Sequence, residues 1–288
     1  MTVTDRAASA VVVVGVDGSY AASNAILWAV DEAATRDVPL RIVYVADVSD
    51  QPAADVGPAI DYAERALRAA TTAVQSSGKR VKVQTEIRWG GVTDILLDES
   101  RTAALVCIGS AGMSAQAGNP LGSTAAALAE HAECPVAVIR SAFDKPAGVE
   151  WIAVVVNDHH DNDEVIAWAL NEAQLRRKPV FAVEAWAPDL GEASYDELDR
   201  RMARWKRQYP AVHIFPVATR GSLGHFLTKH SDERIKLAVF GQHDLDQIKS
   251  LRSLRAHPVH HDECSVLIVR PNSTRAGHPH SASVSRAG

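Results

Sequence analysis

Three short segments recur, in the same order, in the two halves of this chain. That repetition constrains the fold more than any other feature, because each copy must build the same unit. The segment WAVDEA at Trp28–Ala33 returns as WALNEA at Trp168–Ala173. Eleven residues after each tryptophan stands a proline that opens an apolar run, Pro39 in PLRIVYVA and Pro179 in PVFAVEAW. ECPVAVIR (Glu133–Arg140) closes the first copy and ECSVLIVR (Glu263–Arg270) the second. Between its tryptophan and its cysteine, the second copy is ten residues shorter. The polar, turn-rich segment SAFDKPAGVE (Ser141–Glu150) is the expected joint. The expected organisation is a first domain over 1–142 and a second over 143–271. A disordered tail over 272–288 is expected because the last residues hold almost nothing apolar.

Within each copy the patterning alternates between strand and helix. VVVVGV (Val11–Val16) is a continuous β-branched run. A half-exposed strand would alternate apolar and polar residues, whereas a continuous run fits a strand buried on both faces, as in a parallel sheet. The following segment, SNAILWAVDEAATRD, sets Ile26, Ala29, Val30 and Ala33 at helical spacing. After the strand LRIVYVA comes a second helix, AIDYAERALRAATTAVQSS, with Tyr62, Ala66, Ala69 and Ala73 on one expected face and Gly78 at its end. A strand over 81–88, a helix over 92–101, the strand ALVCIG, a helix over 123–133 and the strand VAVIR complete the copy. The order β-α-β-α-β-α-β-α-β predicts the α/β class. Two tandem doubly wound open parallel sheets are expected, each of about five strands with helices on both faces.

Composition narrows the function. The net charge of -5 and the pI near 6.2 argue against a nucleic-acid partner, which needs a basic face. No apolar run approaches the ~18 residues of a membrane span, so no membrane partner is expected. The first residues, MTVTDRAASA, lack the pattern of a secretory signal. The odd set Cys107, Cys134 and Cys264 lies in or beside apolar runs, which reads as reduced thiols of a cytoplasmic protein.

In open parallel sheets, ligands bind beyond the carboxyl ends of the strands, where the strand order reverses. Three loops of the first copy reach such ends. GVDGS (Gly15–Ser19) follows strand one and places the carboxylate of Asp17 before the first helix, where Asp17 or Ser19 would also serve as a plain helix cap. The second lies around Val45, and the third is GSAGMSAQAGNPLGST (Gly109–Thr124) after strand four. Ser123 and Thr124 fall where a helix begins, and there free N–H groups and the helix dipole favour an anion. No charged residue occurs between Gly109 and Thr124. The loop is neither a Walker A motif, whose lysine it lacks, nor a dinucleotide fingerprint.

On these residues the chain resembles the universal stress protein family. The resemblance covers residues 10–140 and rests on VVVGVDGS, WAVDEA, ECPVAVIR and, above all, the spacing G-2x-G-9x-G-[ST], met by Gly109, Gly112, Gly122 and Ser123. The paired copies are similar to the family's tandem form. The resemblance implies ATP as ligand; Mg²⁺ is expected because the loop has no cation of its own, and one nucleotide per chain because only the first copy keeps the spacing. It implies that Gly15, Val16 and Asp17 contact the adenosine part and that the backbone of Val45 reads the adenine edge. Gly109 and Gly112 would line the ribose and phosphates, and Gly122, Ser123 and Thr124 would hold the phosphates. Asp17 would reach the magnesium indirectly. Ala111 stands where many members carry arginine, which weakens the expected hold on a triphosphate. A homodimer is implied, with VAVIR and VLIVR pairing inside one chain. An unidentified protein partner is expected as well.

The second copy loses the pattern. Aligned by eye, VVVNDHH against VVGVDGS keeps a carboxylate at Asp158 and replaces Gly18 and Ser19 by His159 and His160. Gly241 survives, but Asp244 takes the place of Gly112, and Arg252 and Arg255 flank Ser253. His257, His260, His261 and Cys264 have ligand chemistry, yet the matching first-copy segment LAEHAEC is the last helix, so they read as surface residues. No nucleophile elbow or positioned base accompanies the loop. The expectation is a regulatory ATP-binding module of stress or dormancy adaptation with no catalytic residues. The alternatives are a nucleotide-independent scaffold and a slow ATPase.

Overall fold

The structure is a computed structural model. It describes residues 11–46, 57–110, 122–140, 148–185, 193–219, 222–230, 233–246 and 264–270. In the first half the elements are β1 (Val11–Val16), α1 (Tyr20–Arg36), β2 (Leu40–Ala46), α2 (Gly57–Ser76), β3 (Val83–Trp89), α3 (Val92–Ser100), β4 (Ala103–Gly109), α4 (Gly122–His131) and β5 (Val136–Ile139). The second half repeats the order with β6 (Glu150–Val156), α5 (Asn162–Arg176), β7 (Val180–Ala185), α6 (Ala193–Gln208), β8 (Ile214–Thr219), α7 (Leu223–Lys229), β9 (Arg234–Gly241) and β10 (Ser265–Val269).

The fold is α/β, as the alternation predicts. Each half has the strand order 3-2-1-4-5 and is parallel throughout, and the halves join into one sheet of order β3-β2-β1-β4-β5-β10-β9-β6-β7-β8. The join is the one antiparallel pair among the described strands, with Val266 opposite Val138, Leu267 opposite Ala137 and Ile268 opposite Val136. These residues are almost wholly buried. Each half thereby covers an edge strand of the other, which an isolated half would expose to aggregation.

The continuous valine run of β1 behaves as its composition implies. Val12, Val14 and Val16 enter the core cluster on one side of the sheet, while Val11 and Val13 enter the cluster on the other. The first of these clusters runs through both halves. α1 begins with Ser19 as its N-cap and ends at Asp37 in the left-handed conformation, and α5 ends in the same way at Arg177. Gly78 also has a positive φ, of 68°, just past α2.

The buried stripe of α2 is Ala63, Leu67, Ala70 and Val74, one residue on from the stripe expected. Alanine occurs on several faces of this helix, so the bulkier Leu67 and Val74 decide which face turns inward. The third strand starts at Val83, two residues later than its composition suggests. Among the described residues, no helix is long and apolar enough to cross a membrane. Cys107 and Cys134 are buried free thiols and Cys264 is half-buried. Most of the joint and all of the 272–288 tail lie outside the described residues.

Candidate nucleotide-binding site

The first half's strand order reverses between β1 and β4, and the segments leaving these two strands meet at that point. Asp17 is the first residue beyond β1. Its Oδ1 accepts a hydrogen bond from the Ser19 backbone N–H at 2.9 Å, and the Ser19 Oγ accepts from the Ala22 N–H at 3.1 Å. The cap is therefore Ser19, and Asp17 braces the turn that leads into it. Gly18 sits at φ +82, and a β-carbon there would lie 2.8 Å from the Tyr62 Oη. The positive φ is what favours glycine here.

Tyr62, expected on the core face of α2, instead reaches the candidate site. Its hydroxyl donates to the Asp17 carbonyl oxygen at 3.2 Å. Its ring lies 6.1 Å from that of Tyr44 on β2. The Tyr44 hydroxyl is held above its ordinary pKa, first by burial and then by the charges of Tyr62 and Asp17 nearby. Two phenols and a carboxylate thus share the end of β1. A tyrosine near the start of the helix that follows β2 was the available signal.

The remaining expected residues that the structure describes gather at the same end of the sheet. The β1–β2 register ends at Val16 opposite Tyr44, while the β2–β3 register continues through Val45 opposite Arg88. Val45 thus lies just past Val16, beside Asp17. Gly15 lets β1 approach its neighbours, since a β-carbon would sit 3.2 Å from Leu96 Cδ1 and 3.3 Å from Ile108 Cγ2. A β-carbon at Gly109 would meet the Ala21 carbonyl carbon at 2.7 Å and the Ala22 nitrogen at 2.8 Å. The first turn of α1 therefore rests directly on the end of β4.

Gly122 enters α4 at φ +70, and its β-carbon position lies 3.5 Å from the Ser110 carbonyl oxygen, which brings the start of α4 to the end of β4. Ser123 is exposed and Thr124 half-buried in the first turn of this ten-residue helix. Such a turn presents backbone N–H groups without helical partners. Gly112 and the rest of 111–121, including Ala111, lie outside the described residues.

The second half's matching end is built differently, and its register corrects the alignment made by eye. Ile152 lies opposite Val180 as Val12 lies opposite Leu40, a constant offset of 140 residues. The residue in the place of Asp17 is therefore Asn157, not Asp158. Asn157 repeats the same turn, its Oδ1 accepting from the His159 N–H at 3.0 Å. Arg201 on α6 does what Tyr62 does on α2, donating to the Asn157 carbonyl oxygen at 3.0 Å. At the end of β9, the buried Asp244 accepts from the Gly241 N–H at 3.1 Å and from Asn157 Nδ2 at 3.3 Å. Burial, more than any neighbouring charge, raises its pKa. His159 stacks on His243 at 4.8 Å, and the His243 Nε2 lies 3.4 Å from Asp161 Oδ2. His257, His260 and His261 lie outside the described residues. Among the described residues no cluster of histidines, cysteines and acids has metal-binding geometry.

The universal stress protein family model matches residues 10–140. A universal stress protein of Mycobacterium tuberculosis is 43% identical over 261 residues, spanning 90% of this chain and 96% of the relative. A second from the same organism is 36% identical over 267 residues, spanning 90% of this chain and 95% of the relative. The crystal structure of a universal stress protein from Archaeoglobus fulgidus superposes with a TM-score of 0.66. It covers 91% of this chain and 96% of that one at 13% identity, a likeness of fold. Identity of this level over nearly the whole length, together with the repeated α/β halves, shows that the chain belongs to the universal stress protein family.

Proposed function

We propose that this member of the family is a regulatory module that binds one ATP per chain, with Mg²⁺, at the ends of β1 and β4. The observation that carries the reading is the contrast between the two switch points. In the second half a buried carboxylate, Asp244, takes the N–H of Gly241 and puts negative charge where a phosphate would approach. In the first half the corresponding stretch from Gly109 to Thr124 carries no acid.

The donor set suits a nucleotide. The start of α4 offers N–H groups and the hydroxyls of Ser123 and Thr124 to phosphate oxygens. Asp17, braced by Ser19 and Tyr62, offers a fixed acceptor to a ribose hydroxyl or to metal-bound water. Magnesium would supply the neutralising charge that the loop itself lacks. Binding without rapid hydrolysis follows from the same composition. Phosphoryl transfer needs a cation aimed at the transferring group and a residue to position the water, and Gly109–Thr124 contains no lysine, arginine or histidine.

Isothermal titration of the full chain with Mg·ATP tests the reading. One site per chain, lost on Asp17→Ala and kept on Asn157→Ala, is the expected result. Two sites, or no heat at all, overturns it, and absence of binding would favour a nucleotide-independent scaffold.

A further inference from the structure

Trp28, Glu32 and Arg36 on α1 recur as Trp168, Glu172 and Arg176 on α5. Spaced by four, each triad forms one stripe along its helix. The two stripes meet where the halves join. The Arg176 guanidinium carbon lies 3.4 Å from the Trp28 ring centroid, and that of Arg36 lies 4.6 Å from the Trp168 ring centroid. Each arginine thus stacks on the tryptophan of the other half.

Arg176 engages all three of its nitrogens. Nε donates to Glu172 Oε2 at 2.9 Å, Nη1 to Asp31 Oδ2 at 3.2 Å and Nη2 to Glu32 Oε1 at 2.8 Å. Arg36 donates to the other oxygen of Glu32. Glu32 and Glu172 are essentially sealed from solvent, at 0% and 2% exposure. One sealed guanidinium thus holds the Glu32 and Glu172 carboxyls side by side, and with Asp31 three acids face two arginines. Two carboxylates sealed into one site repel each other, which favours a proton on one of them.

We propose that Glu32 and Glu172 form a proton-binding site shared by the two halves, and that loss of its single proton loosens the seat of α1 against α5. The groups that face it are few. Arg36 and Asp31 come from α1 and Arg176 from α5. Lys79, just beyond α2, pairs with Asp31 at the half-exposed rim. From β4 the buried Cys107 faces the cluster. Burial holds its thiol well above the ordinary value, and Glu32 and Glu172 push the same way against the two arginines.

Burial is the largest influence on Glu172, the charge of Glu32 adds to it, and Arg176 and Arg36 oppose both. The outcome is a carboxyl raised from 4.5 to about 8. A carboxyl raised in the folded state binds more protons folded than unfolded. Its contribution is complete below the ordinary value and is lost as the pH rises through about 8. The joint is tighter in acid and weaker in alkali, the reverse of an ordinary paired carboxylate.

The test is a pH titration of the full chain carrying ¹³C-labelled glutamate carboxyls, followed by NMR. One resonance is expected to titrate near 8, to vanish in Glu172→Gln, and to move down toward the ordinary range in Glu32→Gln. Titration of every glutamate below about pH 6 overturns the proposal. Thermal melts provide the second readout. The wild type is expected to lose melting temperature relative to Glu172→Gln from the ordinary value of 4.5 up to about pH 8 and to run parallel to it above that, because the amide stays neutral throughout. Parallel curves for the two proteins also overturn it. Should Glu172→Gln not fold, the wild-type and Glu32→Gln titrations decide the matter alone.

Discussion

A β-carbon placed on Gly109 would lie 2.8 Å from the β-carbon of Ala21. No pair of real β-carbons approaches so closely, so the end of β4 and the first turn of α1 touch backbone to backbone. The two walls of the candidate site are thereby held against each other by packing.

Gly109→Ala is therefore expected to destabilise the protein itself, by about 1–3 kcal/mol, as overpacking generally does. Urea denaturation without nucleotide reads the loss directly. An unchanged midpoint would mean that α1 moves aside freely, and that the close approach is not a constraint.

Asp17→Asn isolates ligand binding from folding. The amide oxygen still accepts from the Ser19 N–H, so the turn and cap persist. Melting without nucleotide should change little. A ligand at a hundred times its Kd stabilises the folded state by about 2.7 kcal/mol. That ATP-dependent rise should shrink or vanish in the variant. A full rise would remove Asp17 from the site.

Arg176→Ala should cost about 3–5 kcal/mol, the range for breaking a buried ion pair from one side. The variant leaves Glu32 and Glu172 facing each other and removes the cover from the Trp28 ring. Measured above pH 8, where Glu172 is ionised, adding Glu172→Gln to Arg176→Ala should recover part of the loss, since one buried charge then disappears. Additive losses in this double-mutant cycle would show that Arg176 acts by packing alone.

Leu267→Ala truncates a fully buried side chain in the strand that joins the halves, and should cost about 2–5 kcal/mol. Because β10 pairs with both β5 and β9, calorimetry of the variant should show one transition at lower temperature. Two resolved transitions, with only one displaced, would mean that the halves unfold independently.

Much of this architecture was legible in the residues. The recurring Trp, Pro and Cys segments announced two copies, and the unbroken Val11–Val14 run announced a strand buried on both faces. Alternation pointed to the loops beyond the strand ends, the strand order placed the switch point between β1 and β4, and Asp17, Gly109 and Gly122 lie around it. The α2 stripe was misplaced by one residue because alanines on several faces flatten the helical signal. Asp158 was matched to Asp17 because identity by eye rewards the same letter. Hydrogen-bond register puts the neutral Asn157 there instead. Tyr62 looked like a core residue because its periodicity cannot say what its hydroxyl reaches.

The sequence by itself determined the class of fold, the repeat and the polar character of the loops, since these depend on neighbours along the chain and on the period of burial. Only the tertiary structure decided that α1 and α5 exchange arginines over each other's tryptophans, that two glutamates share one sealed space, and that Asp244 meets Asn157. Each of these rests on residues far apart in the chain. They are brought together by the antiparallel pairing of β5 with β10 or by the parallel register of β6 with β9, and no local pattern encodes such a meeting.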